Sequence, residues 1–163
     1  MTGTFEITVY PLRCGERLGA NWVPLHFRRV RDSRWRAVVD AEARAYGFDL
    51  WCAACDQDPA GTLPLEDPEL AMLAGLGRDV ATWERVRDGA LYGWREVICL
   101  DGEEDVRRLA HPIVTEVVVE AFNRIAQRQE TAAAGAERKR LSKVSAKMRE
   151  AGAAPGLAED HAM

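Results

Sequence analysis

The sequence predicts a mainly α protein with a small β-hairpin: a winged helix-turn-helix core followed by a long C-terminal helix. Three observations carry that expectation. Asp67 to Leu91, DPELAMLAGLGRDVATWERVRDGAL, reads as a helix, a tight glycine turn and a second helix. Val97 to Leu100 and Val106 to Leu109 read as the two strands of a ribbon turning at Asp101-Gly102. Residues 113 to 150 then read as one long helix, with an apolar stripe at helical spacing from Ile113 to Ile125.

Composition sets the frame. At 163 residues the chain holds one domain with appendages, and 47% hydrophobic against 29% charged residues is ordinary for a globular protein. No apolar run approaches the roughly 20 residues of a membrane span. The opening MTGTFEITVY lacks a basic stretch followed by an apolar one, so no signal peptide is expected. A cytoplasmic protein with no membrane partner follows as the expectation, and Cys14, Cys52, Cys55 and Cys99 are then read as free thiols. The net charge of −4 argues weakly against wholesale nucleic-acid affinity, but its distribution is uneven. All three lysines, Lys139, Lys143 and Lys147, fall within nine residues.

Taken in order, residues 1 to 31 form an N-terminal arm in which Phe5 to Tyr10 could be a short strand ended by Pro11. Arg28, Arg29, Arg31, Arg34 and Arg36, interleaved with Phe27 and Trp35, suit a phosphate-contacting arm, because guanidinium forks grip phosphate bidentately. A solvated segment paired with Asp32 and Asp40 is the simpler reading. The winged-helix domain is expected over residues 32 to 112. Its core helix, Asp40 to Cys55, has Asp40 as N-cap, Glu42 in the first turn and an apolar face of Tyr46, Leu50, Trp51 and Ala54. Gly47 within it costs about 1 kcal/mol against alanine and points to close helix packing. Cys52 and Cys55 make a CxxC. With no second CxxC, and with Cys14, Cys99, His26 and His111 isolated, core packing is preferred over a redox pair or a zinc site.

Asp67 reads as the cap of the next helix, with Pro68 in the first turn and Leu70, Leu73 and Ala74 facing the core. Gly75-Leu76-Gly77 makes the turn. The second helix, about Asp79 to Tyr92, buries Val80, Trp83, Val86 and Ala90. In a helix-turn-helix this element enters the major groove, so Arg78, Thr82, Arg85 and Arg87 are the candidate DNA contacts. The hairpin tip carries Asp101, Glu103, Glu104 and Asp105. That is the wrong sign for a wing that follows phosphates, and it keeps open a protein-interaction role for these four residues. In the last helix, Ile113, Val117, Ala121 and Ile125 form a stripe that either packs back on the domain or pairs with its twin in a homodimer through 113–125. A break near Gly135 is allowed. Beyond Gln129 the helix turns basic, with Arg138, Lys139, Arg140, Lys143, Lys147 and Arg149 and no acid between Glu137 and Glu150. This segment reads as a solvated tail or as a nucleic-acid arm. Residues 151 to 163 read as disordered.

The early WVPL, the Gly-Phe-Asp-Leu-Trp helix, GTLPLEDPELAMLAGL with Trp83 beyond it, the hairpin ending in His111-Pro112 and the basic-ended helix together resemble the DUF1376-like family of phage and prophage winged-helix domains. The resemblance runs from about Trp22 to Lys147. It implies a small bacterial or phage-related protein that binds double-stranded DNA in replication initiation or transcription regulation; a replication or regulatory protein partner belongs to the adaptor alternative. It implies no catalytic residue, cofactor or metal. GxxxxGK[ST], HExxH and GxSxG are all missing from the sequence, so a non-enzyme is expected. A non-catalytic adaptor built on the same fold is the alternative expectation.

Overall fold

A computed structural model describes residues 6 to 152. Phe5 of the expected N-terminal strand and all but Ala151 and Gly152 of the expected disordered tail lie outside the described residues. The elements follow in the order β1 (Thr8–Val9), α1 (Phe27–Arg31), α2 (Arg34–Val38), α3 (Ala41–Cys55), β2 (Thr62–Leu63), α4 (Asp67–Leu73), α5 (Val80–Ala90), β3 (Arg95–Asp101), β4 (Glu104–Ala110) and α6 (Pro112–Glu150). The chain divides into two compact units, residues 1 to 122 and 123 to 163.

The helical content and the long terminal helix agree with expectation, but the winged helix-turn-helix core is corrected. The hairpin is no free two-stranded wing. It is the centre of a four-stranded mixed sheet ordered β1-β3-β4-β2. β1 pairs parallel to β3 with Thr8 opposite Val97, and β2 pairs antiparallel to β4 with Leu63 opposite Leu109. The Tyr10 and Cys14 amides extend the β1 side by donating to the Ile98 and Leu100 carbonyls at 2.8 and 2.9 Å. The physical reason is edge pairing: a β-branched hairpin leaves two rows of amides and carbonyls open, and two short strands satisfy them. β1 falls within the strand expected over Phe5 to Tyr10, whereas β2, with two residues, has no periodicity to announce it.

The second correction concerns α5. Its main helical neighbour is α3 rather than α4. Two glycines allow the approach. A Cβ on Gly47 would lie 3.1 Å from the Ala90 carbonyl oxygen, and one on Gly89 would lie 2.7 Å from the Ala43 Cβ. The buried face of α3 is accordingly Ala43, Gly47, Leu50 and Ala54, while Tyr46 and Trp51 are half-buried. Asp40 caps α3 as expected, its carboxylate accepting from the Ala43 amide at 2.9 Å. Gly75 and Gly77 take φ of +81° and +57°, the left-handed turn that glycine adopts without a Cβ penalty. Leu50, Leu63, Leu70 and Val118 are fully buried and join α3, β2, α4 and the start of α6 in one core. α6 continues through Gly135 without a break.

Candidate functional site

The four residues expected to meet DNA from the second helix have different surroundings. Asp79, the N-cap of α5, accepts from the Thr82 amide at 3.1 Å and from its hydroxyl at 2.7 Å. The hydroxyl bond is the main reason the Asp79 carboxyl is held below its usual range. Arg85 forks onto Glu42 of α3, one of its two bonds being 2.8 Å long, and lowers the Glu42 carboxyl in turn. Arg87 donates to Asp67 at 2.7 Å, and the Trp83 indole donates to the same oxygen at 3.2 Å. Asp67 was expected to cap α4, but Glu66 holds that position and Asp67 reaches across to α5 instead. Only Arg78 of the four is exposed with no ion partner among the described residues. This face of α5 is therefore mostly occupied by the chain's own carboxylates, which a phosphate would have to displace.

The arginine arm is likewise partly engaged. Arg29 pairs with Glu116 of α6, Arg31 with Asp32 at 2.8 Å, and Arg36 donates to the Arg31 carbonyl at 3.2 Å. Arg28 lies 5.8 Å from the centroid of the exposed Phe27 ring. Arg28 and Arg34 have no carboxylate partner among the described residues. The acidic residues Asp101, Glu103, Glu104 and Asp105 are all exposed at the end of the β3–β4 hairpin, as expected.

The C-terminal unit differs. Arg138, Lys139, Lys143, Lys147 and Arg149 are exposed, or nearly so, and have no carboxylate partner among the described residues. Arg140 has only Glu137, at 3.9 Å. Lys139, Lys143 and Lys147 recur every four residues, which on a continuous helix places them along one face. Residues 123 to 150 hold eight Arg or Lys against three Glu, a net of +5; residues 1 to 122 hold fourteen Arg against twenty-one Asp or Glu, a net of −7.

Comparison with protein families, with curated proteins and with solved structures gave no match.

Two further features involve the cysteines and the stripe of α6. Cys52 is exposed rather than in the core, and Cys55 is half-buried with its thiol donating to the Trp51 carbonyl at 3.4 Å. Burial pushes the Cys55 thiol up to about 11, and the Cys52 thiol is raised by the same cause. Both are therefore protonated and poorly nucleophilic at neutral pH. Among the described residues no group of three His, Cys, Asp or Glu is placed to hold a metal ion. Val114, Val117, Val118 and Ala121 are buried, so of the two expectations for this stripe, packing back on the domain or pairing in a homodimer, the first accounts for much of it.

Sequence reasoning missed an apolar groove of about 460 Å³ beside the CxxC. Trp22, Leu25, Phe48, Trp51, Ile113 and Val117 line it, together with Asp56. Residues 20 to 26, which have no regular structure, form one wall, so no periodicity could have revealed it. Leu25 and Phe48 remain 57% and 47% exposed, more than the chain's core positions would suggest. Among the described residues no helix is long and apolar enough to cross a membrane.

Proposed function

We propose that this chain is a DNA-binding protein whose affinity lies in Arg138 to Arg149 of α6 and is directed at the phosphate backbone. The observation that supports the reading is the contrast in pairing. The basic side chains of α5 are engaged by carboxylates, whereas Lys139, Lys143 and Lys147 form a stripe with no carboxylate partner among the described residues. An unpaired row of cations lowers its own electrostatic energy by exchanging salt ions for phosphates, and the released counterions drive binding. Such contacts orient a protein on the duplex and carry no base sequence. No residue is assigned to base reading, since the α5 face that would do so is held by Glu42 and Asp67.

Fluorescence anisotropy of a labelled duplex, titrated with the full chain over a salt series, tests the reading. Affinity should fall steeply as salt rises, and an absence of binding at low salt would sink it. A second reading rests on the exposed carboxylates Asp101, Glu103, Glu104 and Asp105, which suit a basic protein partner. Reversing the charge of Glu103, Glu104 and Asp105 separates the two: the DNA-binding reading predicts tighter duplex binding, the adaptor reading an unchanged duplex affinity and a lost protein partner.

A further inference from the structure

The groove and the C-terminal helix carry complementary features that the nucleic-acid reading does not use. Leu141 and Val144 are 44% and 46% exposed, and Met148 completes a spacing of i, i+3, i+7 on α6. That is the anchor spacing by which an amphipathic helix fills an apolar groove. Lys139 and Lys143 lie about two residues from Leu141 in sequence and, at about 100° per residue, fall on the far side of the helix from this seam. Lys147, three residues beyond Val144, borders the seam, so Lys139 and Lys143 are the part of the lysine stripe that lies clear of it. On the other side of the match, the groove exposes Leu25 and Phe48 and has the volume, about 460 Å³, to take several aliphatic side chains. Isolated exposed apolar residues need no explanation, but a contiguous concave patch of this kind marks an interaction site.

We propose that the groove takes the C-terminal helix of a second copy of this chain, with Leu141, Val144 and Met148 as the anchors. Charge complementarity selects this occupant. The unit that holds the groove has a net charge of −7, and residues 123 to 150 have a net of +5. The groove lining includes Asp56 and no Arg or Lys, while Arg138 and Arg149 border the seam on the incoming helix. Each copy supplies one groove and one helix, so a two-fold exchange closes the assembly at a dimer. Lys139 and Lys143 of both helices stay outward, while Lys147 lies at the seam's border.

Sedimentation velocity of the full chain across a range of protein concentrations tests this, with far-UV circular dichroism as the check on folding. The wild-type chain should form a dimer. Val144→Glu and Phe48→Glu, both at exposed positions, should each yield a folded monomer. An equimolar mixture of the two variants should regain a weaker dimer, because one intact groove then meets one intact helix. A wild-type chain that stays monomeric overturns the proposal. So does a dimer that survives either substitution: survival in Phe48→Glu alone would mean helix pairing with helix, and survival in Val144→Glu alone would mean groove facing groove.

Discussion

His111 is 7% exposed and rests between two indoles, its ring centroid 5.2 Å from that of Trp51 and 5.7 Å from that of Trp94. The Ile113 amide donates to its Nδ1 at 3.2 Å, a bond that requires an unprotonated nitrogen there. Burial lowers its pKa from 6.5 to about 4. The sign of the linkage follows. Above 6.5 the ring is neutral in both folded and unfolded chains and costs nothing. Between 6.5 and 4 the unfolded chain takes up a proton that the folded chain refuses, so stability falls as pH falls. At about 1.4 kcal/mol per unit, the loss reaches about 3 kcal/mol by pH 4. Urea denaturation at a series of pH values should show this decline, and His111→Phe should flatten it. In the sequence His111 shows only as an isolated histidine before Pro112. The aromatic cage around it could not be read there, because Trp51 and Trp94 come from segments distant in the chain.

Among the elements, the packing of α3 on α5 is the tightest constraint. Alanine at Gly89 would gain about 1 kcal/mol of helix propensity. Its Cβ, however, would lie 2.7 Å from the Ala43 Cβ and 3.0 Å from the Val39 Cγ1. Overpacking costs about 1 to 3 kcal/mol, so thermal denaturation of Gly89→Ala should show net destabilisation. Leu50 is fully buried, and Leu50→Ala should lose about 2 to 5 kcal/mol in the same assay. The helices from α3 onward and the hairpin were legible because caps, glycine turns and apolar spacing are local signals: Asp40, Gly75 and Asp101-Gly102 all sit where those signals put them, whereas the five-residue α1 and α2 are too short to show a period. β1 lies within the short strand expected over Phe5 to Tyr10, but β2 was not legible, since two residues have no period, and the pairing of both depends on partners far along the chain. The buried face of α3 was placed one residue off for a related reason. Tyr46 and Trp51 have apolar rings, but Gly47 decides the contact by having no side chain at all.

Over the whole molecule, charge is divided between an acidic unit of residues 1 to 122 and a basic stretch of residues 123 to 150. The division was visible in the sequence as the lysine cluster and the acidic hairpin tip. Which cations were already paired was not, because Arg85 and Glu42 are forty-three residues apart. It follows that Arg85→Ala should leave duplex affinity within about a factor of two, a change smaller than 1.4 kcal/mol can produce. The lysine stripe should behave differently. Replacing Lys139, Lys143 and Lys147 by alanine keeps good helix formers on α6 while removing the three cations proposed to meet phosphate. The most direct measurement is the slope of log affinity against log salt for a labelled duplex, compared between the wild-type chain and this triple variant. At about −0.9 per phosphate neutralised, the account predicts a weaker variant whose slope is shallower by about two to three. An unchanged slope and affinity would contradict it.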